Sequence, residues 1–82
     1  MSIEELGLAP RKIVGLKQTL KAVETGTAGA VYVARDADER LMRDLLEKCA
    51  QRGVQVVLVP SMAELGRICG IEVGAAAAAR PR

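Results

Sequence analysis

The 82-residue chain is 50% apolar and 27% charged with a net charge of +2, which allows one compact domain with its own core and little room for a second. Tyr32 is the only aromatic residue, which argues against recognition sheets and barrels that stack bases on exposed rings. The absence of histidine and the wide separation of Cys49 and Cys69 in sequence argue strongly against a zinc site, and no cofactor is expected.

Residues 1–9 are compatible with a short leading helix or with a loose arm. Lys12 to Val14 makes a short extended segment ending at Gly15. Leu16, Leu20 and Val23 then recur at helical spacing, and Thr25-Gly26 closes that helix. Ala30 to Ala34 is a continuous apolar run that suits a strand covered on both faces. In the next helix, Asp36, Asp38 and Glu39 crowd the start, Lys48 and Arg52 the end, and Gly53 stops it. Its apolar stripe reads as Leu41, Leu45, Leu46 and Cys49, with Met42 beside it.

Val54 to Val59 is a second strand, ended by Pro60. Ser61-Met62-Ala63-Glu64 spells a capping box, opening a helix with Leu65, Ile68 and Cys69 on its buried side and Gly70 at its end. Both cysteines therefore read as buried, reduced thiols. Alanine favours helix, but Gly74 interrupts and Ile71 to Val73 leads in with β character, so the stretch to Ala79 is read as a closing strand. Arg80-Pro81-Arg82 reads as a frayed tail. Alternating helices and strands imply a single-domain α/β fold over residues 1–82, a three-layer α/β/α sandwich with a small mixed sheet.

The helix that opens at Gly15 carries the wrong charges for its own stability. The positive end of a helix attracts Asp or Glu, yet its first turn offers Lys17 and Gln18, with Lys21 one turn later on the face of Lys17. Like charges four apart cost a few tenths of a kcal/mol. Open backbone N–H groups behind a glycine, flanked by two ammonium groups, make a suitable anion site. Lysine can donate to guanine O6 and N7, and glutamine can pair with an adenine edge. Exposed lysines are common, so an ordinary solvated helix face competes with this reading.

Other candidates are weaker alone. Pro60, Ser61, Met62 and Ala63 form a partly apolar loop, either a plain strand-to-helix connection or an aliphatic shelf for an extruded base. Arg35 is a phosphate contact or plain surface, and Asp36 most simply caps the following helix. Basic residues outnumber acidic ones over 1–35 and 65–82, while 36–64 is acidic, consistent with one end of the fold facing an anion. Catalysis has poor support: the chain has no histidine, no Gly-x-Ser-x-Gly elbow and no phosphate-binding Gly-Lys-Ser/Thr loop. With no signal peptide or membrane-length apolar run, the chain reads as cytoplasmic with no membrane partner.

Three ordered blocks carry a resemblance. Gly-Leu-Lys-Gln-Thr-Leu-Lys at 15–21, Ala-Arg-Asp-Ala-Asp at 34–38 and Pro-Ser-Met-Ala-Glu-Leu-Gly-Arg-Ile-Cys-Gly-Ile-Glu-Val at 60–73 resemble the L7Ae ribosomal-protein family, and most of all its small bacterial members. The resemblance spans about Lys12 to Ala79. It implies an α/β/α sandwich and a non-enzymatic, monomeric protein that binds kink-turn RNA, a sharply bent element with tandem G·A pairs. It also implies an association with the ribosome and its RNA.

By that resemblance, Gly15 would let the backbone approach RNA, Lys17, Gln18 and Lys21 would face the G·A pairs and nearby phosphates, and Pro60 to Ala63 would cover an extruded nucleotide. Archaeal and eukaryotic relatives usually carry Asn-Glu where this chain has Lys17-Gln18, so a neutral amide replaces that glutamate. The competing expectation is a structural ribosomal or protein-interaction module of the same fold that reads no kink-turn.

Overall fold

Short apolar runs alternate with amphipathic stretches, and each becomes an element of its own. In the computed structural model, which describes residues 3–82, the order is α1 (Ile3–Leu8), β1 (Ile13–Val14), α2 (Leu16–Glu24), β2 (Ala28–Ala34), α3 (Glu39–Arg52), β3 (Gln55–Val59), α4 (Met62–Cys69) and β4 (Ala77–Pro81). The strands form one mixed sheet in the order β1-β4-β2-β3. β2 and β3 run parallel, from Ala30 opposite Gln55 to Ala34 opposite Val59, whereas β4 is antiparallel to both β1 and β2.

Helices α2 and α3 pack on each other, as do α1 and α4. Successive residues of a strand point to opposite faces, and every residue from Ala30 to Ala34 is buried, so helices cover the sheet on both sides. The result is the three-layer sandwich that the alternation implied. Its core joins Leu6, Val23, Val31, Tyr32, Leu45, Val59 and Leu65. Tyr32 is fully buried, so the one ring in the chain is a packing residue and offers no stacking surface.

Local signals fix the helix ends. Asp38 caps α3, its carboxylate accepting from the Arg40 N–H at 2.9 Å, and Gly53 ends the helix in the left-handed conformation. Ser61 caps α4 by accepting from the Glu64 N–H at 3.0 Å, and Gly70 ends it likewise. The Glu64 side chain does not reach back to complete the box. It turns forward to Arg67.

The leading segment takes one of its two expected forms, and several other expectations are corrected. Residues 3–8 of the leading segment are helical, with Leu6 fully buried. Asp36 precedes α3 without capping it. The buried stripe of α3 is Met42, Leu45 and Cys49, while Leu41 and Leu46 are exposed because the helix is rotated to seat Met42. Ile68 and Cys69 are half-buried, leaving Cys49 as the one fully buried thiol of the pair.

Ile71 to Val73 is an exposed loop outside the closing strand. The alanines alone continue into β4, where Ala77, Ala78 and Ala79 are fully buried between β1 and β2. Hydrogen bonding on both edges overrides alanine's helical preference there. The supposed frayed tail is held as well. Arg80 pairs with Ala30, Pro81 with Ala28, and the Arg82 N–H donates to the Thr27 carbonyl at 3.0 Å.

Candidate nucleic-acid interface

Parallel β1, β2 and β3 all finish at one end of the sheet, where β4 begins. Four backbone bonds tie that end together. The Gly15 N–H donates to the Ala77 carbonyl at 2.9 Å, Ala34 to Ala76 at 2.9 Å, Arg35 to Val59 at 2.9 Å, and Ala75 to Met62 at 3.0 Å. Gly15, the Arg35 backbone and the Pro60–Ala63 loop are thereby set on one rigid edge, although they lie far apart in sequence.

At the start of α2, Gly15 adopts φ 101° and ψ 154°, a region that is almost glycine-only. A Cβ built there would meet nothing within 4 Å, so the residue is required by backbone conformation and leaves open space above it. The helical ladder begins with the Thr19 N–H donating to the Gly15 carbonyl at 3.0 Å, which leaves the N–H groups of Leu16, Lys17 and Gln18 ahead of it. No side chain caps this end, and α2 alone among the helices of the described residues has no acid in its first turn. Lys17, Gln18 and Lys21 are exposed. Gln18 and Lys21 share a hollow of about 220 Å³ with Ile13, Ala22, Thr25 and Thr27, one turn along the flank from Gly15.

The start of α4 is organised differently. Pro60 and Ala63 are exposed, Ser61 is half-buried in its capping role, and Met62 is 36% exposed. The Met62 N–H donates to Asp36 Oδ1 at 2.8 Å, so the β2–α3 connection anchors this loop. Arg67 grips both carboxylate oxygens of Glu64, with Nε donating to Oε2 at 3.3 Å and a terminal nitrogen donating to Oε1. That hydrogen bonding holds the Glu64 carboxyl below its ordinary range and raises the Arg67 guanidinium. The acid in the first turn of α4 is thus paired within its own helix. Asp36 and Asp38 are likewise accounted for as caps, of α4 and α3 in turn.

Two placements depart from the sequence picture. Arg35 lines a separate recess of about 710 Å³ beside Leu46 and Leu58, between α3 and β3. Its backbone is tied to the sheet end beside the α4 loop by the bond to Val59, while the residue also borders that recess.

Conversely, Val73, which in the sequence is only the end of a β-like triplet, is 70% exposed next to that loop. The segment carrying it lies so close to α4 that a Cβ on Gly66 would fall 2.0 Å from the Val73 carbonyl oxygen, and one on Gly74 would fall 3.1 Å from Met62 Cβ. Met62 and the Val73-Gly74 backbone form one aliphatic ledge. The sequence signal for it was a glycine in mid-helix at 66 and another just past the Ile-Glu-Val triplet, both marking close backbone approach.

A rim of cationic and amide donors, an open helix start and an aliphatic ledge on a rigid sandwich define a small α/β/α binding domain. Residues 6–81 match the ribosomal protein L7Ae/L30e/S12e/Gadd45 family, and the chain belongs to it. The chain is 49% identical over 70 residues to an RNA-binding protein of Caldanaerobacter subterraneus subsp. tengcongensis, covering 85% of each. It is 46% identical over 66 residues to the large ribosomal subunit protein eL8 of Halobacterium salinarum, covering 79% of this chain and 55% of that one. A solved structure, the Giardia lamblia 15.5kD RNA binding protein, superposes with a TM-score of 0.86 at 28% identity, covering 98% of this chain and 68% of that one. These are ribosomal and RNA-binding proteins, and the chain is a non-enzymatic member of their family. Among the described residues no helix is long and apolar enough to cross a membrane.

Proposed function

We propose that this protein binds structured RNA of the kink-turn type through the edge formed by α2 and α4, acting as a monomer in the cytoplasm in association with ribosomal RNA. The observation that carries the reading is the open start of α2, ringed by Gly15, Lys17 and Gln18, on the same sheet end as the Met62 ledge. The names of its relatives support RNA as the ligand class.

A regular A-form major groove is too deep and narrow for side chains, whereas a sharp kink opens it and exposes non-canonical pairs. Gly15 admits the RNA backbone against the free N–H groups of α2. Lys17 and Lys21 contact phosphate and purine acceptors, and the Gln18 amide both donates to and accepts from purine edges. Pro60, Ser61, Met62 and Ala63, with Val73 beside them, cover an extruded nucleotide through aliphatic contact. Arg35 contacts phosphate from the flank of α3.

The test is titration of the protein against a labelled kink-turn RNA beside the same RNA with its G·A pairs changed to Watson–Crick pairs. Tight binding to the first and at least about tenfold weaker binding to the second is the expected result, since reading one base edge contributes roughly 1–3 kcal/mol. Equal affinity would reduce the protein to a general phosphate binder. Binding to neither would leave a protein-interaction module.

A further inference from the structure

The end of the sheet opposite the α2–α4 edge carries a second cationic recess. β4 starts at Ala77, whose carbonyl is bonded to Gly15, and finishes at Pro81 opposite Ala28, about 14 Å away at strand rise. There Ala9, Pro10 and Arg11 of the α1–β1 connection face Arg80, Pro81 and Arg82 around a recess of about 280 Å³. Three of its lining residues are arginines, and no Asp or Glu side chain lines it. Lys12 adds a fourth positive charge beside Arg11, its ammonium held on the Ala9 carbonyl at 3.0 Å.

The walls are fixed by backbone. The β2–β4 ladder is irregular between Ala28 and Ala30, as in a β-bulge, and such irregularities re-aim side chains at a sheet rim. Gly29 sits at this point. A Cβ there would lie 3.0 Å from the Pro81 carbonyl oxygen and 3.2 Å from that of Arg80, so a glycine lets the last strand lie this close without shifting. With Arg82 bonded to Thr27, the two arginines are held on an ordered strand end.

Among the described residues neither Arg11 nor Arg82 joins an ion pair, and both are exposed. None of these arginines ends a helix, so dipole matching does not account for them. Like charges gathered around one recess repel one another unless an anion joins them, and the planar forks of exposed Arg11 and Arg82 match phosphate in a bidentate manner. Their spread over both walls of the recess suits successive phosphates of a strand better than a single small anion.

We propose that Arg11 and Arg82, at the recess that Arg80 also lines, form a second, sequence-independent phosphate-backbone site, so that one molecule holds a kink-turn at one end of its sheet and a separate RNA segment at the other. The inference rests on the RNA-binding reading of the α2–α4 edge. It predicts a bridging protein, not merely a capping one.

The test uses the full chain, a donor-labelled kink-turn hairpin and an acceptor-labelled plain RNA duplex, mixed at low salt. The wild type should bring the two RNAs together, read as energy transfer and as a ternary band on a native gel. Arg11→Glu with Arg82→Glu should abolish that capture and leave the affinity for the hairpin unchanged. The variant's slope of log affinity against log salt, for plain duplex, should be smaller by about 1.8, or about 0.9 for each phosphate that is no longer neutralised. Arg80 is left intact because it is half-buried, and an unchanged thermal unfolding midpoint confirms that the variant folds.

Equal duplex capture by variant and wild type, or none by the wild-type hairpin complex, would overturn the proposal. If the wild type binds plain duplex through Arg11 and Arg82 but no kink-turn, the reading of the α2–α4 edge fails while the basic recess stands.

Discussion

Asp36 holds the start of α4 in place: its Oδ1 accepts the Met62 N–H at 2.8 Å across 26 residues of sequence. With Ser61 taking the Glu64 N–H, two of the four orphan donors of that helix are satisfied from two different segments. The loop that carries the aliphatic ledge is therefore positioned by the β2–α3 connection as well as by its own cap. Replacing Asp36 by Ala should lower stability by about 1 kcal/mol, the usual cost of losing a cap, measured by denaturant unfolding. Asp36→Asn keeps an acceptor and should recover part of that loss. Equal losses in both variants would mean that the hydrogen bond is not the cause.

Gly66 should resist the substitution that helix propensity recommends. Glycine in a helix interior costs up to about 1 kcal/mol relative to alanine, so Gly66→Ala would stabilise an isolated α4. In the folded chain its Cβ would lie 2.0 Å from the Val73 carbonyl oxygen, which is backbone and cannot rotate away. The clash should dominate, with a net loss of roughly 1–3 kcal/mol and displacement of the Ile71–Gly74 loop. Unfolding free energy and amide exchange at Ala75, whose N–H is bonded to Met62, would report both effects. A neutral or stabilised variant would show that the loop is not held against α4.

What could be read in advance follows from how local each signal is. Gly15, Asp38, Gly53, Ser61 and Gly70 act on backbone groups within a few residues, so the helix boundaries and the open start of α2 were legible. The partner of Asp36 was not, because it lies on another element and only the fold brings them together. The exposed position of Val73 was missed because Ile-Glu-Val has β character, while its conformation is set by the close approach to Gly66. Arg80 and Pro81 looked like a tail because their pairing with Ala30 and Ala28 is tertiary. The phase of α3 was ambiguous for a related reason. Leu41, Met42, Leu45, Leu46 and Cys49 fit more than one stripe, and packing on the sheet selected the one containing Met42.

The two thiols should make stability fall in mild alkali. Burial pushes up the Cys49 thiol, and burial also raises Cys69, partly offset by the nearby Lys12 ammonium. A group whose folded value lies above its unfolded value contributes stability that is complete below the unfolded value and is lost as pH rises through the folded one. Stability should therefore decline above about pH 8.5, the ordinary thiol value. The comparison that isolates the thiols is with a variant carrying Cys49→Ala and Cys69→Ala, whose decline should be shallower. In the native protein iodoacetamide should modify half-buried Cys69 before Cys49, which is 1% exposed. Parallel pH profiles with and without the thiols would show that neither is perturbed enough to matter.

Lys21 and Gln18 share one hollow on α2, yet their loss should read out differently. Lys21 is an exposed point charge whose role in the proposed complex is with phosphate. Lys21→Ala should weaken binding to kink-turn and plain RNA alike and lower the salt slope by about 0.9, one phosphate's worth. Gln18 carries no charge, so Gln18→Ala should leave the salt slope alone. It should cost roughly 1–3 kcal/mol on RNA with G·A pairs and little on RNA whose pairs are Watson–Crick. Neither side chain is buried, so both variants should retain wild-type unfolding behaviour. An unchanged salt slope for Lys21→Ala would remove it from the phosphate contacts. An equal loss on both RNAs for Gln18→Ala would make the amide a backbone-positioning contact instead of a reader of purine edges, and the discrimination would then have to come from Lys17 and the open N–H groups beside it.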